Sequence, residues 1–80
     1  MIYIKESFLD DYSIVIQADG TLDSDSIPIL KRVCERNLVP GRKVFLKLKD
    51  LICVSKEGKD FLKEMEEKGV LNYERSMGPS

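Results

Sequence analysis

Residues 13–24, SIVIQADGTLDS, and residues 43–62, KVFLKLKDLICVSKEGKDFL, decide how this chain folds. Each is an apolar run that ends in a polar loop and opens onto a segment with helical spacing. The run Ile14, Val15, Ile16, Ala18 is too continuous for a strand with one wet face, so residues 13–19 are expected as a central strand covered on both sides. Residues 43–48 alternate, with Val44, Leu46 and Leu48 on one face and Lys43 and Lys47 on the other. Phe45 indicates that the second face is also partly covered. In an open α/β sheet the functional surface lies beyond the carboxyl ends of the parallel strands, which directs attention to residues 20–25 and 51–58.

Outward from these runs, Ile2 and Ile4 alternate with Tyr3 and Lys5, predicting a short first strand, and the polar stretch 6–12 is expected as a hairpin loop. After Gly20 the period changes. Ile27, Leu30, Val33, Cys34 and Leu38 recur at helical spacing, with Ser24 as the expected N-cap and Pro28 in the first turn, where amides lack helical partners. This helix should end near Leu38, before Pro40 and Gly41. Leu51, Ile52, Cys53 and Val54 extend the second apolar run. Ser55 then caps a helix with an inward stripe of Phe61, Leu62 and Met65, an i,i+4 pair Glu64–Lys68 on its wet face, and Gly69 as C-cap. Residues 70–73 are expected as a last short strand. The order implies an α/β fold: a small mixed sheet of about four strands, the first antiparallel, with two helices largely on one face. A single domain covers residues 1–75, and residues 76–80 are expected to be disordered.

An 80-residue chain holds one small core. A third of its residues are charged, yet the net charge is −1, which removes the basic footprint of a nucleic-acid or membrane-surface binder. No apolar run approaches the length of a membrane span, and MIYIKESF lacks the pattern of a signal peptide, so a cytoplasmic location is expected. Cys34 and Cys53 lack metal or redox spacing and read as buried thiols. Asp19, Asp23, Asp25 and Asp50 do not follow the order of a calcium loop, and neither metal nor cofactor is expected. Gly20 stands alone, without a phosphate-cradling motif, and reads as a turn glycine with positive φ. Histidine is absent, which eliminates Cys-His and Ser-His nucleophile systems, and no catalytic residue is assigned.

Two segments carry a resemblance. Ala18, Asp19, Gly20, Thr21, Leu22, Asp23 follow an apolar-x-G-x-L-D pattern, and Val44, Leu46, Leu48, Leu51, Val54 and Gly58 fall on the apolar and glycine positions of V-x-L-D-L-S-x-V-x-x-I-D-S-S-G. Over roughly residues 13–68 the chain thus resembles a STAS domain, the module of bacterial anti-sigma-factor antagonists and of the cytoplasmic parts of sulfate transporters. The resemblance implies a regulatory protein-binding module. It also implies a phosphoacceptor serine just before the glycine, where this chain has Glu57. Ser55 and Lys56 replace the family's aspartate and first serine, Lys47 replaces the strand aspartate, and the usual third helix is missing.

Glu57 suits the first turn of a helix, where the dipole favours a carboxylate as it would a phosphate. Ser55 reads as an N-cap before it reads as a displaced phosphoacceptor. The expected activity is therefore non-catalytic binding of a protein, such as a regulatory kinase or an anti-sigma-like partner. Gly20, Thr21, Asp23, Ser55, Lys56, Glu57, Lys59 and Asp60 would form the contact surface, in a monomer or weakly associating homo-oligomer. The alternatives are a sensor of a nucleotide or other small ligand at the helix amino termini, and an assembly domain.

Overall fold

The strand β2 (Ser13–Leu22) is the axis of the molecule in the computed structural model, which describes residues 1–73. β1 (Ile2–Asp10) pairs with it antiparallel on one side. On the other side β3 (Lys43–Lys47) runs parallel to its first half, Ser13 against Lys43 through Gln17 against Lys47. β4 (Leu51–Val54) runs parallel to its last residues, Gly20 to Leu22. β5 (Leu71–Asn72) lies beyond β3, also parallel. The helices α1 (Ile27–Asn37) and α2 (Lys56–Glu67) complete a five-stranded mixed α/β fold. The tail expected at 76–80 lies outside the described residues.

Both helices cover the same face of the sheet. Ile14, Ile16, Ala18 and Leu22 of β2 pack with Val44 and Leu46 of β3 under Leu30 and Cys34 of α1 and Phe61 and Met65 of α2. Each large side chain removed from water in this way contributes about 1.5–3 kcal/mol. The ion pairs Lys31–Glu64 (3.9 Å) and Lys68–Glu35 (2.9 Å) link the helices at the surface, where such pairs add little, so the apolar stripes determine the placement. The Glu35–Lys68 contact lowers the pKa of the carboxyl and raises that of the ammonium, the hydrogen bond between them being the first cause in each case.

Register assigns Tyr3, Lys5, Ser7, Val15, Gln17, Asp19, Phe45, Lys47 and Leu71 to the opposite face. No helix covers that face among the described residues. The expectation that β2 is covered on both sides therefore holds for Val15, which is buried, but not for Gln17 and Asp19, which are half-buried. Phe45 gains its partial cover from Tyr73, edge to face with ring centroids 5.8 Å apart.

Four local expectations are corrected. The stretch 6–12 is not a loop: β1 continues to Asp10, and the turn is Asp11–Tyr12, closed by the Asp10 carboxylate accepting from the Tyr12 amide at 2.8 Å. Glu6 is tolerated on the helix-side face because Arg36 and Asn37 of α1 donate to its carboxylate. The N-cap of α1 is Ser26, not Ser24. With Ser24 as the cap, Pro28 would stand at the first position whose amide must join the helical ladder, whereas from Ser26 it falls among the amides that have no partner. Leu51–Val54 does not prolong β3, since Lys49 and Asp50 make a turn and a new strand begins across from Gly20. Cys53 is exposed; Cys34 alone is buried, and burial pushes its thiol up to about 12.

Candidate functional site

The carboxyl end of β2 is held by main-chain contacts. Gly20, with φ of 101°, sits within β2 rather than in a turn, and a Cβ there would meet the Met1 carbonyl oxygen at 2.5 Å. The neighbouring Thr21 amide donates to that same oxygen at 3.0 Å. Two residues on, the Leu22 carbonyl accepts from the Ser55 amide at 2.9 Å. A Cβ on Gly58 would stand 2.7 Å from the Leu22 oxygen and 3.0 Å from Cγ1 of Val54, so only glycine lets the first turn of α2 press onto the strand end. Ser55 caps that turn as expected, its hydroxyl accepting from the Gly58 amide at 3.1 Å.

The loop after Leu22 is closed by Ser26. Its buried hydroxyl donates to the Thr21 carbonyl at 2.8 Å and accepts from the Asp23 amide at 2.9 Å. The Asp23 carboxylate in turn accepts from the Asp25 and Ser26 amides, both at 3.1 Å. The Ser26 amide is the main reason that the Asp23 pKa falls below its ordinary value, with the Ser26 hydroxyl and the Asp25 amide adding to it. Ser26 was invisible to a reading that began the helix at Ser24. The signal was Pro28 itself, whose position excludes the earlier start.

The residues singled out from the sequence thus converge in part. Thr21 lies opposite Cys53, Leu22 opposite Val54, and Ser55 follows directly, so Thr21, Asp23 and the start of α2 form one end of the molecule. Gly20 belongs to that end as backbone only, because Met1 closes over it. Lys56, Glu57, Lys59 and Asp60 are exposed along the first turns of α2, and none of the four forms an ion pair among the described residues. Ile52 was not anticipated. The register shifts from Gly20 opposite Leu51 to Thr21 opposite Cys53, which leaves Ile52 as the extra residue of a bulge, 80% exposed. An unbroken apolar run gives no sign of which member a bulge will expel.

Of the four aspartates considered for a cation, Asp19 and Asp50 approach each other through Gln17 Nε2, at 3.0 and 3.4 Å, while Asp23 is turned onto its own loop amides. No group of three or more metal-ligating side chains forms among the described residues. A cavity of about 330 Å³ opens on the flank of α2, walled by Leu46, Leu48, Leu62 and Met65 with Lys59, Lys63 and Glu66 beside them. No described helix is long and apolar enough to cross a membrane. No protein-family model matches the chain, and no curated protein matches it at a significant level.

Proposed function

We infer that this chain is a non-catalytic regulatory module that docks a protein partner on the surface made by Thr21, Asp23, Ile52 and the start of α2, in the manner of the anti-sigma-factor antagonists it resembles. The observation that carries this reading is the close contact of Gly58 with the Leu22 carbonyl, which welds the loop and the helix start into one preformed surface. Preorganised backbone lowers the ordering cost of binding. Ile52 supplies an apolar anchor, and Lys56, Glu57, Lys59 and Asp60 supply a mixed-charge rim of the kind that sets partner choice and association rate. Glu57 stands where the resembled family carries its phosphoserine, so the module is not switched by phosphorylation at that position.

The test is quantitative capture from a lysate of its own cells by wild type and by an Ile52→Asp/Lys56→Glu variant with a matched unfolding midpoint. A protein retained by the former and lost by the latter supports the reading; equal retention by both contradicts it. A small-ligand sensor is the second reading, favoured by the cavity beside Lys59 and Lys63. A saturable thermal shift with a nucleotide or an anionic amphiphile, abolished by Leu62→Trp, would favour it.

A further inference from the structure

β1 ends the sheet, and no strand pairs with its outer edge among the described residues. The Thr21 amide donates to the Met1 carbonyl, so in the antiparallel register with β2 the odd-numbered residues up to Ser7 turn their main chain toward β2. Ile2, Ile4, Glu6 and Phe8 therefore turn theirs outward. Edge strands are ordinarily blunted by brevity, by proline, by lysines or by a bulge at mid-strand. β1 has nine residues, no proline and a single lysine, and its irregularity falls only at the far end, between Phe8 and Asp10. It also exposes apolar side chains: Tyr3 is 65%, Phe8 59% and Leu9 50% exposed.

The sequence of β1 fits a second copy of itself in one register. Two antiparallel copies related by a two-fold axis keep their faces, so the axis must pass at a residue. An axis at Lys5 sets two lysines against each other, and Lys5 has no ion-pair partner among the described residues. An axis at Ser7 sets two charged side chains against apolar ones at the centre of the pairing, Glu6 against Phe8 and Lys5 against Leu9. An axis at Ile4 sets Ile2 against Glu6 and leaves Phe8 and Leu9 uncovered. An axis at Glu6 sets Ile4 against Phe8, Tyr3 against Leu9 and Lys5 against Ser7, and confines its one apolar–carboxylate pair, Ile2 with Asp10, to the strand ends beyond the irregularity between Phe8 and Asp10. The two Glu6 carboxylates then meet, but each is already held by Arg36 and Asn37 of its own chain.

We propose that two copies of this chain associate through β1, antiparallel about a two-fold axis at Glu6, and join their sheets into one. The surface is distinct from the docking end of β2 and does not depend on the function assigned there. Light scattering after size exclusion, across a dilution series, should show a mass twice the 9.2 kDa of one chain, falling toward it on dilution. Phe8→Lys/Leu9→Lys should remain monomeric at every concentration.

A second measurement does not rely on that variant folding. In a Cys53→Ser background, Lys5→Cys and Ser7→Cys chains mixed under mild oxidation should form a disulfide-linked pair, while neither chain alone does so. Wild type that stays monomeric at the highest soluble concentration overturns the proposal, and so does a dimer that persists in the double-lysine variant or fails to cross-link on mixing. A β1 edge reserved for a strand of another protein gives the monomeric result.

Discussion

The two ends of β2 are built on different principles. From Ile14 to Gln17 the strand is paired on both sides in unbroken register, and side chains hold this half: Ile14, Ile16 and the following Ala18 are wholly buried beneath the helices. From Asp19 to Leu22 the register slips against β4, a glycine with positive φ interrupts the pleat, and carbonyls of Met1 and Leu22 take the close contacts. Side chains fix the first end; at the second Leu22 is still buried in the core, but close main-chain contacts set the geometry around it. The difference matters because, with backbone contacts fixing this end, the side chains of Thr21, Lys56 and Glu57 make no hydrogen bond or ion pair among the described residues and Ile52 stands exposed.

Substitutions at the two ends should separate these principles. Leu46→Ala, at the side-chain-built end, should cost about 2–5 kcal/mol, while Lys47→Ala on the uncovered face should stay within about 0.5 kcal/mol. Urea denaturation midpoints measure both, and equal midpoints would mean that the faces of β3 are misassigned. Gly58→Ala, at the backbone-built end, should cost about 1–3 kcal/mol through overpacking against Leu22, although alanine is the better helix former by about 1 kcal/mol. A stabilised Gly58→Ala protein would show that the strand end yields easily, and the contrast would dissolve. Ser55→Ala removes only the cap and should cost about 1 kcal/mol.

The smallest effect concerns pH. Because the folded pKa of Asp23 is depressed, its contribution is fully present above the ordinary value of 3.8 and is lost as pH falls through the lower folded value. The stability difference between wild type and Asp23→Asn should therefore be constant from neutral pH down to about 4 and shrink in more acid solution. A difference that changes between pH 5 and 8 would assign the effect to another group.

The side-chain-built end was legible from the sequence, since the apolar periods of β2, β3, α1 and α2 follow directly from which face they bury. Alternation in Val44, Leu46 and Leu48 and the helical spacing of Leu30 with Cys34 needed no further information. The backbone-built end was legible only in outline. Gly20, Thr21, Asp23 and Ser55 were singled out and lie together at one end of the molecule, but the bulge at Ile52 depends on how β4 meets β2, a pairing between strands 31 positions apart that no local pattern encodes. The length of β1 escaped for a related reason: from Lys5 onward its residues are exposed, so the strand is held by pairing with β2 and leaves no apolar alternation to read.

Native-state amide hydrogen exchange tests the contrast most directly, because it reads the main chain at both ends of β2 in one experiment. If the carboxyl end is fixed by its backbone contacts, the Thr21 and Ser55 amides, bonded to the Met1 and Leu22 carbonyls, should exchange as slowly as amides of the buried Ile14–Ile16 stretch. Rapid exchange at Thr21 and Ser55, with slow exchange confined to the first half of the strand, would contradict the account.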